Sequence, residues 1–375
     1  MARLARSVDW VHRLKRRLQH VTSPTNGLLL ISAGGLGDTV LFSLVAERFA
    51  ALAEPDEPVT IVLRRDGAKT AFCLPRGMTI ETVDFGRFGS ELGYRWQTLE
   101  LLSQKNFRMV ISTDFLRHPH LDEAMIEATG APQKAAMLAR PWRKYDRALE
   151  ANRRMYSTLF DSGSVRVDKV VRWTEFANRL SGETLAPPKV RLSPVSVAAS
   201  PAVKAQEIII QPFSAVAAKQ VDAAIYHQLL DALPSGFSVR ITGLESDLEK
   251  APEIRPLLAR ENVTFDGSTF AEISPRLRDA ALVISVDTAL MHLAAALGAP
   301  TLCLASAAYV GEIVPYDERI CPENVTFVYE SMPCEGCLGD CIRPLAEGRY
   351  ACIDALSADD VVSKALRLLQ SPSNS

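Results

Sequence analysis

The sequence predicts an α/β protein built from two Rossmann-like halves, and three observations carry that expectation. Short apolar runs alternate with segments of helical periodicity along the chain, the pattern of parallel sheets covered by crossover helices. The chain has 375 residues, more than one ordinary core accommodates and enough for two. Near the middle, Ala186-Pro187-Pro188 and residues 193–206 are rich in proline and small side chains, as befits an interdomain connection. The halves are therefore placed at 1–190 and 205–375.

Residues 1–21 read as a helix, because Leu4, Val8, Val11, Leu14, Leu18 and Val21 recur at steps of three and four. Its other face holds Arg3, Arg6, Arg13, Lys15, Arg16 and Arg17 against Asp9 alone. Such a helix either lies on an anionic membrane surface or packs on its own domain with a solvated basic face; periodicity does not separate the two. Pro24 and Asn26-Gly27 end it. Residues 28–32 form an apolar run suited to a buried parallel strand. After the turn 33–38 a helix follows, with Val40, Leu41, Leu44, Val45 and Phe49 on its inner face. Further strands are expected at 59–63, 79–83 and 109–112, and helices at 94–103 and 122–129. The second half is expected to run as strand 207–211, helix 225–233, strands 238–242, 263–265, 282–286 and 301–304, and a closing amphipathic helix at 361–369. Two such domains facing each other leave a cleft at the carboxyl ends of their strands, where sheets of this kind bind ligands.

Composition removes several classes of function. Apolar residues make up 47% and charged residues 23%, the balance of a soluble globular protein. A net charge of −2 leaves no footprint for nucleic acid. No apolar run approaches the roughly 20 residues that cross a bilayer, and the basic N-terminus lacks the apolar segment of a secretory signal. A cytoplasmic protein is expected.

Two segments carry chemistry. Gly34-Gly35-Leu36-Gly37-Asp38 joins a buried strand to a helix; glycines admit close backbone approach, and a helix N-terminus favours anionic groups. The spacing matches neither the dinucleotide fingerprint nor the P-loop. Asp38 is either an N-cap or a general base. In the second half, strand 282–286 runs into Asp287-Thr288, and a helix of small residues then carries His292 one turn in. That arrangement makes an anion site at a helix N-terminus, or a capped core helix with a satisfied histidine. Asp114, His118 and His120 follow strand 109–112, which places them at a cleft edge of the first domain, either facing a ligand there or as a polar loop after a strand.

Asp287-Thr288-x-x-x-His292 followed by Leu-Ala-Ala-Ala-Leu-Gly-Ala-Pro-Thr resembles the signature of the bacterial heptosyltransferase family, inverting GT-B glycosyltransferases. The opening Leu-Leu-Ile-Ser-Ala-Gly-Gly-Leu-Gly-Asp-Thr-Val is similar to that family's first strand and Gly-Asp loop, and Gln211-Pro212-Phe213-Ser214 with Lys219 is similar to its phosphate-binding segment. The resemblance spans about residues 27 to 370, with the three motifs in the family's order. It implies a GT-B fold with a first domain for the acceptor and a second for the nucleotide-sugar donor, ADP-heptose by default. It also implies Asp38 as catalytic base, Lys219 on the donor diphosphate, and Asp287, Thr288, Ala289 and His292 around the phosphates and sugar. Gly243 and Glu245 would meet the nucleoside, and Gly34, Gly35, Gly37 and Ser214 would line the loops near donor and acceptor. The implied acceptor is a hydroxyl of a glycolipid, as in lipopolysaccharide synthesis, of another glycan or of a protein, and the implied location is the inner face of the cell membrane.

Two positions depart from the family. Ala289 stands where glycine is usual, and Lys219-Gln220-Val221 lacks the family's aromatic residue. These departures give some weight to a non-catalytic sugar-nucleotide-binding or assembly protein on the same frame, whereas Asp38, Lys219 and His292 together favour an enzyme. No cofactor is expected for catalysis, since no Asp-x-Asp cation site ends a strand. Cys334, Cys337, Cys341 and Cys352 crowd one glycine-containing segment, with gaps that suit a structural zinc or iron or a loop of reduced thiols. Some members of the resembled family carry an iron-binding finger of this kind.

Overall fold

The structure is a computed structural model that describes residues 2–18, 25–192 and 205–370. The chain divides into two compact units, Met1–Val165 with Arg172–Ala186, and Arg166–Val171 with Pro187–Ser375. Val21, Pro24 and linker residues 193–204 lie outside the described residues.

Each unit is built on a parallel sheet of six strands. In the first these are β1 Leu28–Ser32, β2 Val59–Arg64, β3 Thr79–Val83, β4 Met109–Ser112, β5 Gln133–Met137 and β6 Thr158–Phe160, in the order β3-β2-β1-β4-β5-β6. In the second they are β7 Ala205–Gln211, β8 Ser238–Thr242, β9 Val263–Asp266, β10 Ala280–Val286, β11 Thr301–Leu304 and β12 Val325–Val328, in the order β12-β11-β10-β7-β8-β9. Counted from its own first strand, each sheet has the same doubly wound order, 3-2-1-4-5-6. The order reverses between β1 and β4 in one unit and between β7 and β10 in the other, and such switch points are where open α/β sheets bind ligands.

The central strands are apolar because both faces are covered. All five residues of β1 are buried, and β10 buries six of its seven, as expected of parallel strands under helices. Leu29, Ile31, Val62 and Val110 pack with Phe88, Leu99 and Met125 in the first core. Ile208, Ile210, Val239, Ile241 and Ile284 pack with Tyr226, Leu229 and Val361 in the second. Each such aliphatic side chain, once buried, stabilises its unit by roughly 1.5–3 kcal/mol.

Three strands and several helices were not expected from the sequence, among them the short helices Phe85–Ser90, Asp146–Asn152, Glu245–Lys250 and Ala351–Asp354. β5 reads Gln-Lys-Ala-Ala-Met, a composition poor in strand formers, and its state is imposed by pairing with β4. β6 has only three residues. β12, Val-Thr-Phe-Val, had a strand composition that went unread. So did the helices Lys169–Ser181 and Phe270–Asp279, although Thr269 and Glu272 form a capping box ahead of the second. The helix expected after β1 divides into Leu36–Ser43 and Ala46–Ala50. At the division the amides of Leu44 and Val45 bond to Leu41 and Phe42, three residues back.

The N-terminal helix, Ala2–Leu18, packs with its polar face inward. Arg95, almost fully buried, grips Asp9 through two bonds of 2.6 and 2.7 Å. Lys15 pairs with Glu100, Arg13 with Glu127, and Arg16 donates to the Gly130 carbonyl. Ala5 and His12 are buried, while Leu4, Val11, Leu14 and Leu18 of the apolar stripe are exposed, as is Trp10. Burial of the whole apolar stripe in its own domain is therefore overturned: Val8 packs on the first core, while ion pairs fix the helix and leave Leu4, Val11, Leu14 and Leu18 at the surface.

Candidate active site

In the first unit the loop after β1 enters the helix Leu36–Ser43 through Gly35, and Asp38 closes a capping box by accepting the Gly35 N–H at 2.9 Å. Gly35 is thus the N-cap and Asp38 the third helical residue, so the N-cap expected at Asp38 is not formed, although its carboxylate still satisfies an amide at the helix start. Gly34 has to be glycine, because a Cβ there would lie 2.5 Å from the Cβ of Asp38. Gly37 sits in the first helical turn. Asp114, just beyond β4, accepts the Ala33 N–H at 2.5 Å, so the strand across the switch point holds the Asp38 loop in place. His118 and His120 lie further out, against Trp142 and Tyr145. Burial, with help from His120 and Lys144, pushes His118 down to about 4, so this imidazole is neutral at physiological pH.

In the second unit four neighbouring strands, β11, β10, β7 and β8, bring polar groups to one sheet edge. Asp287 follows β10 and Lys219 lies in the helical turn Ala217–Lys219 after β7. The two are paired and nearly buried, at 5% and 9% exposure. His292 presents Nε2 to the Asp287 carboxylate at 3.8 Å, and its Nδ1 is 2.7 Å from the Tyr316 hydroxyl. Burial drives the Tyr316 phenol well above its ordinary range, so it stays protonated and able to donate to Nδ1. Thr288 precedes the helix Ala289–Leu297 without a side-chain cap, and its hydroxyl lies 3.2 Å from Ser285. The leading amides of that helix are left to water or to an anionic ligand. Ala289 is the first helical residue. The buried oxygens of Gln211, Thr242 and Ser306 have no hydrogen-bond partner among the described residues. They stand at the ends of β7 and β8 and just after β11, on the edge that carries Lys219 and Asp287.

Other expected residues take supporting places. Ser214 accepts the Val216 N–H at 3.2 Å and shapes the turn toward Lys219. Gly243 lies where a Cβ would come within 2.5 Å of the Phe213 ring. Glu245 is exposed at the start of the helix Glu245–Lys250, outside the Lys219–Asp287–His292 cluster. Val221 is buried in the core. The aromatic face beside Lys219 comes instead from Tyr309, whose ring centre is 4.6 Å from the ammonium. Neither Tyr309 nor Tyr316 was read from the sequence. Both follow β11 at a distance, and no local pattern ties them to Lys219 or His292.

The cysteine segment braces this edge. Gly336 and Leu338 donate N–H groups to the carbonyls of Ala307 and Ala308, beside Tyr309, and Tyr350 N–H bonds to Ala218, beside Lys219. The four-cysteine ligand set expected from spacing is not gathered. Among the described residues no group of three or more His, Cys, Asp or Glu is placed to hold a metal ion, and all seven thiols are free. Cys352 is buried against the brace while the other three are half-buried. Burial, with Cys337 and Cys341 nearby, raises the Cys352 thiol above its ordinary range.

Comparison with known proteins places the fold and the family. The model of glycosyltransferase family 9 (heptosyltransferase) matches residues 123–335. E. coli heptosyltransferase WaaC, solved with ADP, is similar at 17% identity and a TM-score of 0.65, over 91% of this chain and 99% of that one. The glycosyl transferase family 9 protein of Veillonella parvula matches at 15% identity and 0.65, over 92% and 97%. The iron-containing dodecameric glycosyltransferase TibC of enterotoxigenic E. coli matches at 15% and 0.54, over 92% and 77%. At these identities the likeness speaks for the fold alone. No curated protein matches the sequence significantly. The family match covers more than half of the residues and the sheets agree with those of the solved relatives, so this chain belongs to glycosyltransferase family 9, the heptosyltransferases, and is a glycosyltransferase of GT-B fold.

Proposed function

We propose that the protein transfers a heptose from ADP-heptose, with inversion, to a hydroxyl of a glycolipid, glycan or protein acceptor. The observation that carries this reading is the cluster of Lys219, Asp287 and His292 at the β7/β10 switch point, beside an uncapped helix N-terminus and three unpartnered oxygens. A nucleotide diphosphate suits such an edge: its charge meets Lys219 and the helix amides, and its polar atoms meet the open oxygens. The second unit is thus the donor domain, with Thr288, Ala289 and Ser214 near the phosphates and Gly243 and Glu245 near the nucleoside. The methyl group of Ala289 narrows the space beside the phosphates.

The first unit takes the acceptor, and Asp38 is its base. Its carboxylate is oriented by the Gly35 amide and, through Ala33, by Asp114. The acceptor hydroxyl gives its proton to Asp38 as its oxygen attacks the anomeric carbon. The bond from that carbon to the diphosphate breaks, and ADP leaves with the electron pair. Charge building on the leaving group is countered by Lys219 and the helix Ala289–Leu297.

A lipid-linked acceptor would set the reaction at the inner face of the cell membrane. Among the described residues no helix is long and apolar enough to cross one. The spacing of Cys334, Cys337, Cys341 and Cys352 also supports a structural zinc or iron, although their present placement does not form a ligand set. Elemental analysis of the purified protein decides it: stoichiometric metal lost in a Cys337→Ser/Cys341→Ser variant supports the site, and its absence after metal-supplemented expression removes it.

The function is tested by calorimetric binding of ADP, ADP-heptose, UDP and GDP without added metal. Selective binding of the adenine ligands is expected; preference for UDP or GDP would overturn the donor assignment. Asp38→Asn keeps the capping oxygen and should lower transfer by about a thousandfold with ADP affinity unchanged. Comparable turnover in that variant would remove Asp38 as the base.

A further inference from the structure

From the exposed face of the N-terminal helix we infer that the first unit docks directly on anionic phospholipid. It deepens the proposed function by naming a partner, and rests on that reading only for the purpose the contact serves. Projected at 100° per residue, Trp10, Leu14, Leu18, Val11 and Leu4 fall on one side of the helix, with Trp10 58% and Leu18 73% exposed. The opposite side is held by Asp9 and Arg13 through ion pairs, by His12 against Glu100 and by Arg16 on a carbonyl, while Lys15, on the flank beside Leu4, pairs with Glu100. The helix therefore cannot roll to bury its apolar stripe without breaking the nearly buried Asp9–Arg95 pair.

Charge selects the occupant. Arg6 and Arg17 are exposed on the edge of the stripe, whereas Arg13, Lys15 and Arg16 are engaged by the rest of the unit. The surface continues into the loop around Trp142 and Tyr145. Arg6 lies close enough to His120 to depress its pKa, Lys144 does the same to His118, and both imidazoles pack on Tyr145. Arg143 and Lys144 are exposed on this loop, and Arg147 on the helix Asp146–Asn152 that follows, against an exposed Asp146. A second copy of the same face would bring like charges together, whereas an anionic lipid surface accepts both the cations and the apolar stripe. The tryptophan beside the arginines suits the headgroup boundary.

The test is sedimentation of the full-length protein with vesicles of phosphatidylcholine, with and without phosphatidylglycerol, alongside emission from the indole of Trp10. Binding to the anionic vesicles is expected, at least about tenfold weaker without phosphatidylglycerol. Leu14→Ser/Leu18→Ser should weaken it by roughly a hundredfold, and Trp10→Phe should remove most of the blue shift. ADP calorimetry on the variants confirms that they fold and tests the transferase reading separately. The inference is overturned if wild-type protein ignores anionic vesicles or if Leu14→Ser/Leu18→Ser binds them as well as wild type. It is equally overturned if that substitution instead dissolves a dimer, which would make the stripe a contact between copies.

Discussion

Lys219 and Asp287 form a pair whose disruption can be sized from its surroundings. Both are less than a tenth exposed, and the ammonium is enclosed between the carboxylate and the Tyr309 ring. Lys219→Met removes the cation and leaves a buried carboxylate whose remaining neighbour is the His292 imidazole at 3.8 Å. Stranding one member of a buried ion pair costs about 3–5 kcal/mol. In a unit of this size that lowers Tm by roughly 10 °C. Asp287→Asn strands the ammonium and should cost about as much. Lys219→Met/Asp287→Asn leaves no buried charge to strand, so it should be less destabilised than the sum of the singles, by about 2–3 kcal/mol. Differential scanning calorimetry on the four proteins measures this coupling. Calorimetric titration adds a functional axis: Lys219→Met should weaken ADP by about 30-fold or more and adenosine hardly at all. If the losses in stability add, or if Lys219→Met melts within about 2 °C of wild type, the pair is not the buried, mutually dependent unit described. Equal losses for ADP and adenosine would refute the assignment of Lys219 to the diphosphate.

Other perturbations follow from single contacts. Gly34→Ala forces a Cβ to within 2.5 Å of the Asp38 Cβ, so transfer should fall at least about a hundredfold while ADP binding by the second unit is unchanged; retained activity would show that the loop tolerates the shift. Tyr316→Phe removes the phenol from His292 Nδ1, and transfer should drop about tenfold with a stability loss near 1 kcal/mol; unaltered kinetics would make that bond purely structural. Asp122 is fully buried, and burial raises its carboxyl to about 7. Because the folded state then binds the proton more tightly than the unfolded chain, its contribution is greatest below about pH 4 and is lost as pH rises through 7, by about 4 kcal/mol. Asp122→Asn should flatten that part of the curve when the melting of the two proteins is compared between pH 4 and 8; identical pH dependence would show that Asp122 ionises without cost.

Much of the fold was readable because its signals are local. The four apolar residues from Leu28 to Ile31, the glycines before Asp38 and the Asp287-Thr288 turn each state their backbone in a few consecutive side chains. Strand β5 did not, since nothing in Gln-Lys-Ala-Ala-Met favours a strand until β4 pairs with it. The same contrast holds at the site. Asp38, Lys219, Asp287 and His292 were proposed from motifs that resemble a family, whereas Tyr309 and Tyr316 come from a stretch with no motif and reach Lys219 and His292 only through packing.

What the sequence determined by itself was the alternation of strand and helix, the two-part division of the chain, and the residue types gathered at strand ends. Three matters were decided only in the tertiary structure. Strand order put the β1 and β4 loops side by side, and likewise those of β7 and β10, because pairing partners lie far apart along the chain. The cysteine segment became a brace for Tyr309 and Lys219 through its backbone amides, whose bonding no side-chain spacing encodes. The N-terminal helix turned its ionic face inward because Arg95, some ninety residues away along the sequence, offers Asp9 a buried partner. Periodicity reports that a helix has two faces; which one is covered depends on what the rest of the chain presents to it.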